Sequence, residues 1–259
     1  DRLQITDTIA LTGFSGRFTT TGGLNGTFSG RVNGETPVTG QVVPQNGRSA
    51  VRLLSQDAGG VFRSAGLLKQ GRGGEFGMTL LPASGTGLYN GTLRVTDTQV
   101  KDAPAIAALL NSVSVIGLLD EMAGQGIQFT EVDAKFLLGP SRLTLLSSSA
   151  VGPSIGISMD GLYDLESGVL DMRGVISPVY LINSIGAVLT RKGEGLLGFN
   201  YSLRGTADDP QVRVNPLSAL APGGIREIFR GPRPGAPQRA PRAEPVAPGG
   251  PAAGRSRGR

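Results

Sequence analysis

Apolar and polar residues alternate along most of this chain, and the alternation is broken at short, regular intervals. Phe199, Tyr201 and Leu203 alternate with Asn200, Ser202 and Arg204, the period-two signature of a half-buried strand. Val132, Ala134, Phe136 and Leu138 share one face of a second such segment, and Ile155, Ile157 and Met159 share one face of a third. The same reading predicts strands at Ile5 to Leu11, Gly13 to Thr19, Leu24 to Val32, Val38 to Val43 and Ser49 to Leu54. Further strands are predicted at Phe76 to Leu81, Leu88 to Val95, Gln128 to Leu138, Arg142 to Ala150, Ser154 to Tyr163 and Val169 to Ile176. The breaks carry turn chemistry. Asn33-Gly34 and Asn46-Gly47 favour the backbone twist of two-residue hairpins, whereas Asn25-Gly26 can fall inside a strand. After Leu203, Gly205 to Pro210 reads as a turn, with Pro210 stopping the ladder, followed by a short strand at Val212 and Val214.

Three segments switch to helical spacing. Asp57 is placed to cap a short helix through Val61, Phe62 and Ala65. Asp102, followed by Pro104 in a first turn, is placed to cap a longer one. In it Ile106, Leu109, Leu110, Val113, Ile116 and Leu119 fall on one face. The uncharged run from Ala103 to Leu119 is shorter than the roughly 18 residues that span a bilayer, so it is read as a helix covering the sheet. Ser177 and Pro178 open a third helix that carries Val179, Ile182, Ile185 and Leu189 inward and ends at Gly193. Asn215 and Pro216 start a final apolar plug reaching Phe229. With no strand–helix–strand alternation, a parallel Rossmann-type sheet is excluded as the expectation. The fold class is mainly β (β-rich α+β): about a dozen antiparallel strands and a few amphipathic helices.

Composition agrees. The 259 residues include 41 glycines and only 5% aromatics, a profile of many short strands and tight turns. The absence of Cys and His removes thiolate nucleophiles, zinc–thiolate sites and the usual neutral-pH proton shuttle. Charge divides the chain in two. Between Gly231 and Arg259 six arginines face one acid, Glu244, which accounts for the whole formal charge of +5. Residues 1–230, the folded domain, are therefore formally neutral and offer no basic nucleic-acid face. The Pro-, Arg-, Gly- and Ala-rich tail 231–259 has little apolar surface to offset the entropy of ordering and is predicted to be disordered.

Two patterns mimic catalytic motifs. Gly152-Pro153-Ser154-Ile155-Gly156 has the spacing of a nucleophile elbow, but that device needs a strand-to-helix turn and a histidine base. Here it joins two predicted strands. Gly193 to Gly198 (GEGLLG) has the spacing of a dinucleotide fingerprint, but it follows a helix and opens a strand, the reverse of what a pyrophosphate site needs. The carboxylate pairs Asp120/Glu121, Glu131/Asp133, Asp164/Glu166 and Asp208/Asp209 are sequence neighbours without the contrasting environments of a catalytic acid and base. No metal-ligand spacing is present, and no cofactor is expected. The chain is read as non-catalytic.

The segment GEGLLGFNYSLRGTADDPQVRVNPLSALAPG, residues 193–223, resembles the final hairpin of AsmA-like proteins, the large YhdP-type members in particular. Gln56 to Leu67, Gly91 to Leu119, Gly126 to Phe129, Gly161 to Asp164 and Ser177 to Asn183 are similar to further parts of that pattern, so the resemblance spans roughly Gln41 to Phe229. It implies a long, curved antiparallel sheet forming an apolar groove partly covered by helices. It also implies a periplasmic segment of an inner-membrane-anchored protein that carries phospholipid between inner and outer membranes. The groove candidates are Phe136, Ile155, Ile157, Met159, Phe199, Tyr201 and Leu203. The partners implied are phospholipid acyl chains, bacterial envelope membranes and envelope proteins, with an assembly scaffold as the alternative role. Removing residues 231–259 should leave the melting temperature unchanged within a few degrees, because no apolar burial is lost. A larger drop on deletion would mean that the tail docks on the body.

Overall fold

A computed structural model describes residues 1–6, 8–112, 116–178, 198–206, 209–215 and 217–218. Its centre is one open antiparallel sheet of 14 strands laid down almost entirely in chain order. The strands are β1 (Arg2–Gln4), β2 (Ala10–Thr19), β3 (Asn25–Val32), β4 (Thr36–Gln45), β5 (Arg48–Ser55), β6 (Gly71–Arg72), β7 (Glu75–Pro82) and β8 (Tyr89–Val100). They continue with β9 (Ile127–Leu138), β10 (Arg142–Val151), β11 (Ile155–Asp164), β12 (Leu170–Pro178), β13 (Phe199–Gly205) and β14 (Pro210–Asn215). Each pairs with its predecessor, except that β5 pairs with β7 and the two-residue β6 sits beside β8. Among the described residues there are three helices: α1 (Ala58–Ser64), α2 (Pro104–Ser112) and α3 (Ile116–Ala123).

The turns form for the reasons visible in the residues. Asn33 and Gly34 have φ of 46° and 84°, and Asn46 and Gly47 have 50° and 72°. These paired left-handed values are what a two-residue hairpin turn requires, and Asn and Gly reach them at low cost. The Asn33 side chain adds three bonds: Oδ1 accepts from Ala10 N at 2.8 Å, and Nδ2 donates to Thr8 O and Ser64 O at 2.9 and 2.7 Å. It thus ties the β3–β4 turn to β2 and to α1. Asp57 caps α1 as expected, its Oδ1 accepting from Gly60 N at 2.8 Å.

Several expectations need correction. The predicted strand Ile5 to Leu11 does not exist as such. The chain pairs at Arg2–Gln4, Ile5 N and Thr6 N donate to Ile9 O at 2.9 and 3.0 Å, and it re-enters the sheet at Ala10. From there β2 runs unbroken to Thr19, because Gly13 (φ 58°) sits in a register shift between Thr12 and Ser15 rather than in a turn. The longer helix is described in two parts, α2 to Ser112, whose hydroxyl donates back to Ala108 O at 2.8 Å, and α3 from Ile116, with residues 113–115 outside the described residues. Asp102 does not cap α2. Its φ of 54° turns the chain ahead of the helix, and Ala103 O takes the first bond, from Ala107 N at 2.8 Å. Ser177 and Pro178 are the last residues of β12 rather than a helix start, with Pro178 opposite Ile155. Pro210 does not stop the ladder but opens β14 opposite Gly205, a strand-first position where the missing N–H is tolerated. Asn215 Oδ1 accepts from Leu217 N at 3.1 Å. The remainder of the predicted third helix, most of the terminal plug, the GEGLLG segment up to residue 197 and the tail lie outside the described residues.

Apolar side chains collect on one face. A first cluster joins Leu11, Val32, Val38, Val61, Phe76 and Val95 beneath α1. A second joins Leu109, Leu110, Leu118 and Met122 of α2 and α3 to Phe136, Leu145, Ile155, Met172, Ile176, Tyr201 and Leu203 of the sheet. Met78, Leu93 and Val132 pack against both, so the two clusters form one continuous layer.

Glycine has a second use besides turns. A Cβ added at Gly91 would lie 2.1 Å from the ring of Phe136, and one at Gly40 2.1 Å from the ring of Phe28. The rings lie flat over the glycines of neighbouring strands, as in the aromatic rescue of sheet glycines. Gly91→Ala should therefore destabilise by about 2 kcal/mol, the range for overpacking a core. Combining it with Phe136→Leu should recover part of that loss in a urea titration. Additive losses would show that ring and glycine do not share the space.

Candidate functional site: an apolar face crossed by two unbroken rows

Because side chains alternate and residues opposite one another share a face, the register assembles rows across the sheet. One row runs Phe18, Gly26, Val42, Val51, Leu80, Gly91, Phe136, Leu145, Gly161, Met172, Leu203, Val212. It crosses from β2 to β14 without a polar side chain. The adjacent row runs Gly16, Phe28, Gly40, Leu53, Met78, Leu93, Ala134, Ser148, Met159, Gly174, Tyr201, Val214. Its two polar groups are turned inward to the backbone: Ser148 Oγ donates to Met159 O at 2.9 Å and Tyr201 Oη to Ser158 O at 3.1 Å. A third row carries Phe76, Val95, Val132, Ala150, Ile157, Ile176 and Phe199. With neighbouring strands about 4.8 Å apart, each full row is on the order of 50 Å long.

All seven candidates, Phe136, Ile155, Ile157, Met159, Phe199, Tyr201 and Leu203, lie on this face. They do not share one environment. Ile155 is fully buried, and Phe136, Tyr201 and Leu203 are 4–6% exposed. Ile157, Met159 and Phe199 are half-buried. Coverage explains the difference. The α2–α3 pair lies across this end of the sheet, with α3 against β9 and α2 against β14. The more open part of the face is toward the N-terminal side, where Phe28, Val51, Leu53, Met78, Leu80 and Leu93 are half-buried and Phe18 is 38% exposed. Phe14, Phe18 and Phe28 form an aromatic cluster there, with centroids 5.5 to 6.4 Å apart. Sequence reading assigned these residues to strands but not to the groove. Their signal was the spacing of Phe18 and Phe28 against Gly26 and Gly40, which becomes legible only once the register is known.

The opposite face is polar. Arg94 is held by Asp133 and Glu131 at 2.9 and 3.1 Å, and Arg204 by Asp171 at 3.1 Å. The hydrogen bond that Arg94 donates to Asp133, reinforced by both carboxylate charges, raises the Arg94 pKa further above neutrality. Arg173 and Asp160 form a buried cross-strand pair at 3.0 Å. Asp164 ends β11 and accepts from Ser167 N and Oγ of the following turn at 2.8 Å each. These bonds lower its pKa, so whatever stability they add is present above the unfolded carboxyl value and is lost as pH falls through the depressed one. The nucleophile-elbow mimic joins β10 to β11: Gly152 N donates to Ile155 O at 2.9 Å, and Ser154 Oγ donates to Glu121 Oε1 at 3.0 Å. Among the described residues no group of three His, Cys, Asp or Glu could hold a metal ion. Nor is any helix among them long and apolar enough to cross a membrane.

No protein-family model matches the chain, and neither a curated protein nor a solved structure matches it. The chemistry available on the apolar face is therefore read from its geometry. It can hold extended hydrocarbon by dispersion and by exclusion of water.

Covered and open parts of the face should respond differently to charge. Ile155→Asp buries an unpaired carboxylate and should cost at least 4 kcal/mol, on the order of the largest single-site effects, unfolding the domain. Leu80→Asp, at a half-buried site, should remain folded with a melting temperature only a few degrees lower. Equal losses at the two sites would mean that the face is closed throughout.

Proposed function

We propose that this chain is a non-catalytic lipid-carrying segment, which shelters phospholipid acyl chains on the apolar face of its sheet while the headgroups remain in water. The observation that carries this reading is the row from Phe18 to Val212, twelve positions without a polar side chain. A closed core would need only enough apolar surface to pack its helices. This face exceeds that need, because α1 to α3 leave a half-buried band from Phe28 to Leu93. Burying hydrocarbon there yields roughly 0.8 kcal/mol per methylene. The contacts are non-directional, so a chain can shift from one row position to the next without breaking specific bonds. The glycine positions keep the rows shallow, which favours passage over tight capture.

The resemblance to AsmA-like proteins adds the setting. In this reading the chain is a periplasmic part of an inner-membrane-anchored protein, and the lipid moves between the two membranes of a bacterial envelope. A role as an assembly scaffold for envelope proteins would use the same apolar band against protein instead of lipid.

The test is to purify the chain from a bacterial host and extract it for phospholipid. The expected result is bound phospholipid on the wild type, and its loss in folded Leu80→Asp and Met78→Asp variants. A folded wild-type chain without lipid, whose apolar band is protected by a co-purifying protein, would move the assignment to the scaffold.

A further inference from the structure

The polar face of the first half of the sheet contains a second, chemically opposite feature. A cavity of about 650 Å³ opens over β2 to β5, lined by Ser15, Arg17, Thr27, Ser29, Thr39, Gln41, Arg52 and Leu54, with Gly16, Phe28 and Gly40 also in its lining. The register resolves its floor into two rows. Arg17, Thr27, Gln41 and Arg52 are directly opposite one another on successive strands, and Ser15, Ser29, Thr39 and Leu54 form the row beside them. The two arginines stand three strand spacings apart, about 14 Å. Among the described residues no carboxylate lines the cavity, and neither guanidinium has an ion-pair or hydrogen-bond partner. This contrasts with Arg94, Arg173 and Arg204 on the same face, each of which is matched to an acid.

We infer that this trough is a binding site for a linear saccharide phosphorylated at both ends, with one phosphate at Arg17 and the other at Arg52. Each guanidinium presents a fork of N–H donors that suits a phosphate. The hydroxyls and the Gln41 amide between them can donate to and accept from a polyhydroxylated body. An extended acidic peptide fits the charge but not the surface. Peptides recognised by sheets add at an edge through backbone bonds, whereas here the backbone groups of β2 to β5 are already paired within the ladder. The site lies on the face opposite the apolar rows, and it stands or falls independently of lipid carriage.

Isothermal titration calorimetry on the full chain tests it, using a glucosamine disaccharide with a phosphate at each end as the probe. The expected result is saturable binding to the wild type that weakens roughly tenfold in Arg17→Gln and again in Arg52→Gln, the loss of a charge-assisted contact at either end. Both substituted side chains are exposed, so the melting temperatures should not move. Arg204→Gln, on the same face outside the trough, should bind as the wild type does. The proposal is overturned by no binding, by equal binding of the unphosphorylated disaccharide, or by loss at only one of the two arginines. Equal binding of a hexaglutamate peptide would reassign the trough to acidic peptides.

Discussion

The constraint on which this structure depends is the register of a single antiparallel ladder. Side chains alternate with a period of two, so a slip of one residue in any strand would carry its apolar set to the polar face. The chain holds the register over thirteen successively paired strands, and it does so with turns and local irregularities instead of a closed core. Asn33-Gly34 and Asn46-Gly47 set two hairpins by their left-handed backbones. The irregularities between Thr12 and Ser15 and between Leu145 and Ser148 absorb extra residues where the rows would otherwise fall out of phase. On β8 the buried positions change from odd to even numbers at Asp97, whose φ is 53°, and β9 changes phase at the same level. The apolar face survives each shift.

From that register follow both the packing and the proposed chemistry. Aromatic rings lie over glycines, Phe136 on Gly91 and Phe28 on Gly40, so the face is filled without height. Among the described residues helices cover the sheet in two places, α1 over the N-terminal strands and α2 with α3 from β9 to β14. Where they cover the sheet, Ile155, Ile176 and Leu110 are fully buried and the layer is an ordinary core. Where they do not, Phe18 to Leu93 form a band that remains in contact with water. The other face uses the same alternation for charge, with ion pairs toward the C-terminal strands and the unpaired arginines of the trough toward the N-terminal ones.

The fold class was legible because period-two alternation is a local property. Twelve of the strands follow from runs such as Val132 to Leu138 or Phe199 to Leu203. What failed lay at the strand boundaries. A break is expected between Leu11 and Gly13, yet β2 runs through it, because the left-handed Gly13 sits in a register irregularity that only the partner strand reveals. Pro178 is expected to open a helix and Pro210 to stop the ladder, but both are strand ends, where a missing N–H costs little. The candidate site was half legible. The seven residues named from strand parity do share a face, but parity says nothing of which helix lies above it. The more open band at Phe18, Phe28, Met78 and Leu80 depends on pairings between strands distant in sequence.

The most direct test of the central claim is photo-crosslinking with a phospholipid that carries a diazirine in one acyl chain. Modified residues would be located by mass spectrometry on the folded chain. The account predicts adducts along the half-buried rows, at Phe18, Phe28, Leu53, Met78, Leu80 and Leu93, and none at Arg17, Thr27, Gln41 or Arg52. Adducts confined to the polar face, or spread over both faces without preference, would contradict it.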